Sequence, residues 1–235
     1  MKTQENKIFV KHHLGLGDGI IHNGMIRKIA EDNPEYDIYC AAKPHNYKNI
    51  NFMFRDNPRI NVLDMDDNGV NHHLFNTRYD KIITSHFDSG TIFSYEQYGD
   101  DAFYLKIDMD PKIKKTHFYI ERDYKREDDL YNKLTKEIGS KDYIFIHEKP
   151  NENIVINREK LNLELPIISA KPEYDFFDLL KIIENAKEVH IISSCFLSFF
   201  MVNKINPKTF AHMYSDITRI PLTNMIKKTG IDIIL

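Results

Sequence analysis

KIFVKHHLGLGDGIIHNGMIRKIA, residues 7–30, is the stretch from which the reading of the chain proceeds. Residues 7–13 read as a strand, and a glycine-rich turn follows at Gly15-Leu16-Gly17-Asp18. A helix is expected to begin near Asp18, because Ile21, Met25, Ile26 and Ile29 recur at the 3.6-residue period. Pro34 supplies its stop. Glycines between a strand and a helix let the backbone approach a ligand closely. The first N–H groups of the helix are then free to meet an anion. The chemistry of the chain is therefore expected on this loop and in the cleft beside it.

Outward from the loop, strand-like and helix-like runs alternate. DIYCAA (37–42), INVLDM (60–65) and KIITSH (81–86) read as further strands of the first half. The charged run 122–139 carries Leu130, Leu134 and Ile138 at helical spacing and ends at Gly139, a suitable C-cap. DYIFIHE (142–148), ELPIIS (164–169) and EVHIISS (188–194) are strands of a second half. Residues 173–188 read as one amphipathic helix, with Asp175 placed to cap it. This alternation predicts an α/β protein of two Rossmann-like lobes with parallel sheets, spanning 1–120 and 121–235. The ligand cleft is expected between the lobes, outside the carboxyl ends of the strands.

Composition narrows the classes of function. Of 235 residues, 42% are hydrophobic and 29% charged, as in an ordinary globular protein. A formal net charge of -3 argues against a nucleic-acid partner, which calls for a concentrated positive field. Two cysteines, Cys40 and Cys195, without CxxC spacing argue against a zinc site and fit a reducing compartment. The polar start MKTQENK does not read as a signal peptide. No apolar run reaches the roughly 18 residues that cross a bilayer, so at most peripheral membrane contact and a cytoplasmic location are expected.

Three places carry candidate chemistry. In the first loop the third glycine of a dinucleotide fingerprint is replaced by Ile20, and no Lys-Ser/Thr pair follows, so neither NAD nor a P-loop nucleotide is expected. What the loop does hold is Asp18. A carboxylate at a helix start suits a base, although Asp there can equally serve only as a cap, with Gly15 and Gly17 making a tight turn. His22 lies one turn on. The second place is Ser193-Ser194-Cys195 after the strand at 188, whose N–H and hydroxyl groups could hold a diphosphate or simply cap a helix. The third is His147 at the end of its strand with Arg158 nearby, both suited to phosphate charge. Lys149 reads as a solvated loop residue. The pairs His12-His13 and His72-His73, read as strand residues, would face opposite ways and chelate poorly. Asp64-Met65-Asp66 and Asp108-Met109-Asp110 could be imagined as DxD sites, and solvated turns are the plainer reading.

The opening HLGLGDGIIHNGMIRKIA resembles the first strand, loop and helix of heptosyltransferase-like glycosyltransferases. FSYEQYGDD (93–101), FFDLLKIIENAKEVHIISS and the turn after it are similar to the layout of that family's second lobe. The resemblance implies a compact GT-B-like fold and gives Asp18 the role of base toward an acceptor hydroxyl. Where the family usually shows Asp-Ser-Gly and then a histidine, this chain has Ser193-Ser194-Cys195 and then Ser198.

The expected function is thus a metal-independent glycosyltransferase with no cofactor beyond its nucleotide-diphospho-sugar, and a glycan or lipid-linked saccharide as acceptor. Asp18 would take the proton, and His22 and Asn23 would place the acceptor. Ser193, Ser194, Cys195, Arg158 and His147 would hold the leaving diphosphate. The alternative is a non-catalytic nucleotide- or glycan-binding protein of the same fold. A different nucleotide-using enzyme, such as an epimerase or phosphohydrolase, is a third.

Overall fold

The computed structural model describes residues 6–87, 99–162, 164–204, 206–213, 226 and 229–234. Of the stretch 93–101, residues 93–98 lie outside them. The chain divides into two units, Met1–Glu121 and Arg122–Leu235, each with its own parallel sheet.

In the first unit β1 (Lys7–Lys11), β2 (Asp37–Ala42), β3 (Ile60–Asp64) and β4 (Lys81–Thr84) form a sheet of order β3-β2-β1-β4. Every pairing is parallel, with Ile8 opposite Ile38 and Lys81, and Cys40 opposite Val62. Ile8, Phe9 and Val10 are buried in succession, the pattern of a strand covered on both faces. The connections are α1 (Leu16–Asp32), α2 (Pro44–Phe54) and α3 (Asp67–Asn76), followed later by the short α4 (Asp101–Leu105) and α5 (Ile113–Thr116).

α1 is buried far beyond the stripe its sequence suggests. All residues from Gly19 to Met25 and on to Ile26 are buried, as are Ile29 and Ala30. Each fully buried isoleucine there contributes about 1.5–3 kcal/mol of hydrophobic stabilisation. The helix is enclosed because α5 packs on it closely: a Cβ on Gly24 would stand 2.5 Å from the Ile113 carbonyl oxygen. Asn33 follows as the cap residue, one position before Pro34.

The second unit has a five-stranded parallel sheet of order β6-β5-β7-β8-β9, built from β5 (Ile144–His147), β6 (Ile167–Ser169), β7 (Glu188–Ile192), β8 (Lys208–His212) and β9 (Asp232–Ile234). α6 (Tyr124–Ile138) starts at Asp123, whose side chain accepts from the Arg126 N–H, and ends at Gly139 with φ 67. The run 173–188 is not one α-helix. A 3-10 turn at Phe176–Leu179 precedes α7 (Leu180–Asn185), and Asp175 makes no capping bond because Arg126 takes its carboxylate. α8 (Cys195–Val202) follows β7 directly, and its Phe196 packs on Phe145 and Phe176. Arg122 opens the unit, held by the buried Glu127 at 2.8 Å and by Glu184 at 2.6 Å.

Two parallel-sheet α/β units are what the alternating pattern predicts. The differences are local. β1 stops at Lys11, so His12 and His13 lie beyond the strand, and His72-His73 belong to α3 rather than to a strand.

Candidate functional site

In the first unit the chain leaves the carboxyl edge of the sheet at His12 and turns at Leu14-Gly15. Asn46 on α2 steadies this turn, its Nδ2 donating to the Leu14 carbonyl at 3.1 Å. α1 begins two residues earlier than the sequence suggests: Gly15 is its N-cap (φ -70, ψ 152), Gly17 its second residue and Asp18 its third. Asp18 is therefore not the cap. From the third position its carboxylate reaches back to the N–H groups of Gly15 and of Asp18 itself, one half of a capping box. A Cβ on Gly15 would stand 2.5 Å from Asp18 Oδ2, so the glycine makes room for the carboxylate. Burial raises the Asp18 pKa, and the two N–H groups and the Lys43 ammonium oppose that shift. The result is an ionisable oxygen with more basic character than an exposed aspartate, at a helix N-terminus.

His22 sits one turn along and is fully buried. Its Nδ1 meets the Asp18 carbonyl oxygen at 2.7 Å; a carbonyl only accepts, so Nδ1 carries the hydrogen. Burial first, and then the neighbouring His12, hold its pKa well below the usual histidine value. The ring stacks on His12 with centroids 4.9 Å apart, while His13 stacks on His86 at 4.1 Å. His22 thus braces the backbone of the Asp18 turn as a neutral group. Asn23 has a different task from the acceptor contact its position suggests. It is fully buried, with Nδ2 donating to the Tyr119 carbonyl at 3.1 Å and Oδ1 accepting from the Tyr119 N–H at 3.0 Å.

In the second unit, Ser194 is the N-cap of α8, but its hydroxyl makes no capping bond. Instead Ser194 Oγ lies 3.1 Å from His147 Nδ1, joining the ends of β7 and β5. The α8 backbone begins its own bonding with the Ser198 N–H to the Ser194 carbonyl at 3.2 Å. The earlier N–H groups of Cys195, Phe196 and Leu197 therefore have no acceptor one turn back in the helix. Ser193 is exposed beside them. Burial pushes the Cys195 thiol up to about 11, so it stays protonated at neutral pH.

Two expected phosphate groups are less cationic than their residue types suggest. Burial lowers the His147 pKa to about 4, with the Lys149 charge acting in the same direction, so the ring is neutral near pH 7. Arg158 is exposed and bound to Glu148 Oε1 at 2.6 Å, while Glu148 Oε2 accepts from the Ile156 N–H at 3.0 Å. Lys149 pairs with Glu152 at 3.0 Å on the surface. The aspartate pairs have other places: Asp64 ends β3, Asp66 caps α3 through the Gly69 N–H at 2.7 Å, and Asp108 takes a positive φ of 56. Among the described residues no group of three or more His, Cys, Asp or Glu is placed to hold a metal ion, and no helix is long and apolar enough to cross a membrane.

Lys43 and Asn46, which act on the Asp18 loop from α2, escape a reading of the loop alone. Their signal is Pro44, a residue favoured in the first turn of a helix, which marks the start of the element that delivers them. His12 and His13 were visible, but as strand residues they suggested no joint role.

No protein-family profile and no curated protein matches this sequence. Solved structures do. A glycosyl transferase family 9 protein from Veillonella parvula superimposes with a TM-score of 0.55 at 11% identity, over 90% of this chain and 82% of that one. The E. coli ADP-heptose lps heptosyltransferase II gives 0.55 at 10% identity, over 95% of this chain and 98% of that one. An iron-containing dodecameric glycosyltransferase from enterotoxigenic E. coli gives 0.50 at 8% identity, over 89% of this chain and 59% of that one. At such identities the fold is what is shared, and it is the fold of these glycosyltransferases.

Proposed function

We propose that this chain moves a sugar from a nucleotide-diphospho-sugar to a hydroxyl of a glycan or lipid-linked saccharide, without a metal ion, in polysaccharide biosynthesis on the cytoplasmic side. The observation that carries the reading is Asp18: a carboxylate with a raised pKa, held at the start of α1 above a glycine whose missing Cβ leaves it room. A base is most effective when its pKa lies close to the working pH, and burial moves Asp18 in that direction. In the transfer, the acceptor O–H gives its proton to the Asp18 carboxylate. The oxygen forms a bond to the anomeric carbon, and the bond from that carbon to the diphosphate oxygen breaks.

The second unit carries groups that suit a diphosphate. The first N–H groups of α8, the Ser193 hydroxyl and Ser194 with its His147 partner offer hydrogen bonds to it. His147 acts there as a neutral hydrogen-bonding group. Arg158 adds charge if the diphosphate displaces Glu148.

The paired Arg158 and the neutral His147 also favour a second reading, a protein that holds a nucleotide or glycan without turnover. A thermal-shift panel of nucleoside diphosphates and nucleotide sugars, followed by a product assay, separates the two. Transfer by the wild type, reduced by about 10²–10⁴-fold in Asp18→Asn while the nucleotide-induced shift persists, supports catalysis. Binding without turnover in either protein favours the second reading. Absence of any nucleotide shift in folded protein overturns the transferase.

A further inference from the structure

β7 and β8 carry a polar chain across a sheet face that is otherwise largely apolar. Alternate strand residues share a face, which groups Glu188, His190 and Ile192 of β7 with Phe210 and His212 of β8. Ile144 and Ile146 of β5 lie level with Glu188 and His190, and with Ile192 they join Ile156 and Leu161 in an apolar cluster. Both histidines are buried. His190 Nε2 lies 3.2 Å from Glu188 Oε2, and His190 Nδ1 lies 2.9 Å from His212 Nε2. Glu188 opens β7, whereas His212 ends β8 level with Ile192. The chain therefore runs roughly 13 Å along the strands, from the amino edge of the sheet to its carboxyl edge.

The hydrogens follow from one end of the chain. A carboxylate only accepts, so His190 Nε2 carries its hydrogen toward Glu188; a bare Nε2 would set two lone pairs against each other. Burial lowers the His190 pKa and keeps the ring neutral, so Nδ1 is bare and accepts from His212 Nε2–H. Burial, and then His190, hold His212 at about 4, so its Nδ1 has no hydrogen either. One added proton reverses this. If it rests on His190, or on the Glu188 oxygen facing it, His190 Nδ1 becomes the donor, His212 Nε2 turns acceptor and the His212 hydrogen moves to Nδ1. If it rests on His212, Nδ1 is where it binds. Every form with one proton added to the chain thus has a hydrogen on His212 Nδ1. Around it, Glu188 favours uptake at His190 and Lys208 opposes it, with Nζ 4.7 Å from the centroid of the Phe210 ring that stacks on His190. Asp232 of β9 is level with Phe210, and α8, which packs on β7, has Cys195 as its one titratable group. In the segment of Ile156 and Leu161, Arg158 is paired with Glu148, and Glu152, Glu159 and Lys160 are exposed.

We propose that Glu188, His190 and His212 act as one proton-linked unit: Glu188 at the amino edge makes His212 Nδ1 a hydrogen-bond acceptor at the carboxyl edge, and uptake of one proton turns it into a donor. Ile192, level with His212, is the residue before Ser193, so the change is delivered to the edge of the sheet from which the Ser193-Ser194 turn leaves. Any group that meets His212 Nδ1 must then exchange the role of donor for that of acceptor. The unit does not depend on the transferase reading above.

The test is long-range ¹H–¹⁵N NMR of protein labelled with ¹⁵N-histidine, in which a bare imidazole nitrogen and one carrying hydrogen are well separated. His190→Phe and His212→Phe assign the signals. At pH 7.5 both rings are expected to carry hydrogen on Nε2 and none on Nδ1. On acidification His212 Nδ1 should gain its hydrogen in the step in which the chain takes up its first proton. Glu188→Ala should let the Nδ1–H form of His190 or His212 appear at pH 7.5. Glu188→Gln, whose carbonyl still accepts, should keep the resting forms and move the uptake step down by about one pH unit. The Glu188 side chain is 25% exposed at the start of its strand, so both variants should fold. The pH 7.5 spectra decide the matter even where acid unfolds the chain before the step, and the wild-type series decides it where a variant does not fold. Hydrogen on His212 Nδ1 at pH 7.5, separate titration of the two rings, or resting forms unchanged in Glu188→Ala overturns the inference.

Discussion

Lowering the pH from 7.5 to 5.5 should destabilise the first unit through His12. The residue is 3% exposed, and burial holds its pKa at about 4 against an ordinary 6.5. The unfolded chain takes up this proton as the pH falls through 6.5, whereas the folded chain does so only near 4. Between those values the folded state binds fewer protons, so stability is complete above about 6.5 and is lost as the pH drops. At about 1.4 kcal/mol per pH unit, the step to pH 5.5 removes roughly 1.4 kcal/mol, and the whole window roughly 3 kcal/mol. His22 is displaced in the same direction and is stacked on His12, so the pair titrates jointly and the two contributions do not simply add. Asp18 acts oppositely, since a carboxyl with a raised folded pKa favours the folded state as pH falls through the carboxylate range.

For a chain of this length, 1.4 kcal/mol lowers Tm by about 3–6 °C. The chain has no tryptophan, so scanning calorimetry at constant ionic strength is the suitable assay. His147, His190 and His212 in the second unit add a loss of the same sign, so the wild-type curve alone does not isolate His12. The comparison with His12→Phe does, because that variant keeps an aromatic ring against His22 and removes the titrating nitrogens. Its Tm should fall less between pH 7.5 and 5.5, by about the same 3–6 °C. Equal losses in the two proteins would refute the assignment of a neutral, buried His12.

Gly24→Ala should destabilise the chain by about 1–3 kcal/mol in urea unfolding, because its Cβ would press on the Ile113 carbonyl oxygen from 2.5 Å. Glu127→Ala should cost about 3 kcal/mol or more by the same measurement, since Glu127 is 1% exposed and holds Arg122; Glu127→Gln, which keeps the shape, should cost less. Gly15→Ala should cost only about 0.5–2 kcal/mol, the loss of the Asp18 capping bonds, because φ -70 suits any residue, yet reduce transfer by about tenfold or more by displacing the Asp18 carboxylate. A large Tm loss in that last variant, or full activity, would remove the steric account of the glycine.

The parallel halves were legible because their strands are short apolar runs separated by helical periodicity, as in DIYCAA and EVHII. The start of α1 was less so. Asp is so favoured as an N-cap that Asp18 drew the boundary to itself, whereas the extended backbone at Gly15 moved the cap to a residue with no side chain. The single helix expected over 173–188 failed for a tertiary reason: Arg126 takes the Asp175 and Asp178 carboxylates, and Asp175 is thereby lost as a cap. At the candidate site, sequence identified the residue types but not their partners. Arg158 and His147 look cationic in isolation; Glu148 and burial remove much of that character. Asn23 looks like a substrate contact until Tyr119, far along the chain, occupies both ends of its amide.

The near-total enclosure of α1 bears on how the chain is made. Successive residues from Gly19 to Ile26 are buried, so the helix depends on neighbours on more than one side. β1 and α2 are synthesised close to it, but the α5 segment that covers Gly24 emerges roughly ninety residues later, about 5–20 s at ordinary translation speeds. During that interval the face of α1 that α5 covers at Gly24 stands open. Truncation before Ile113 should therefore yield aggregation rather than a smaller folded domain.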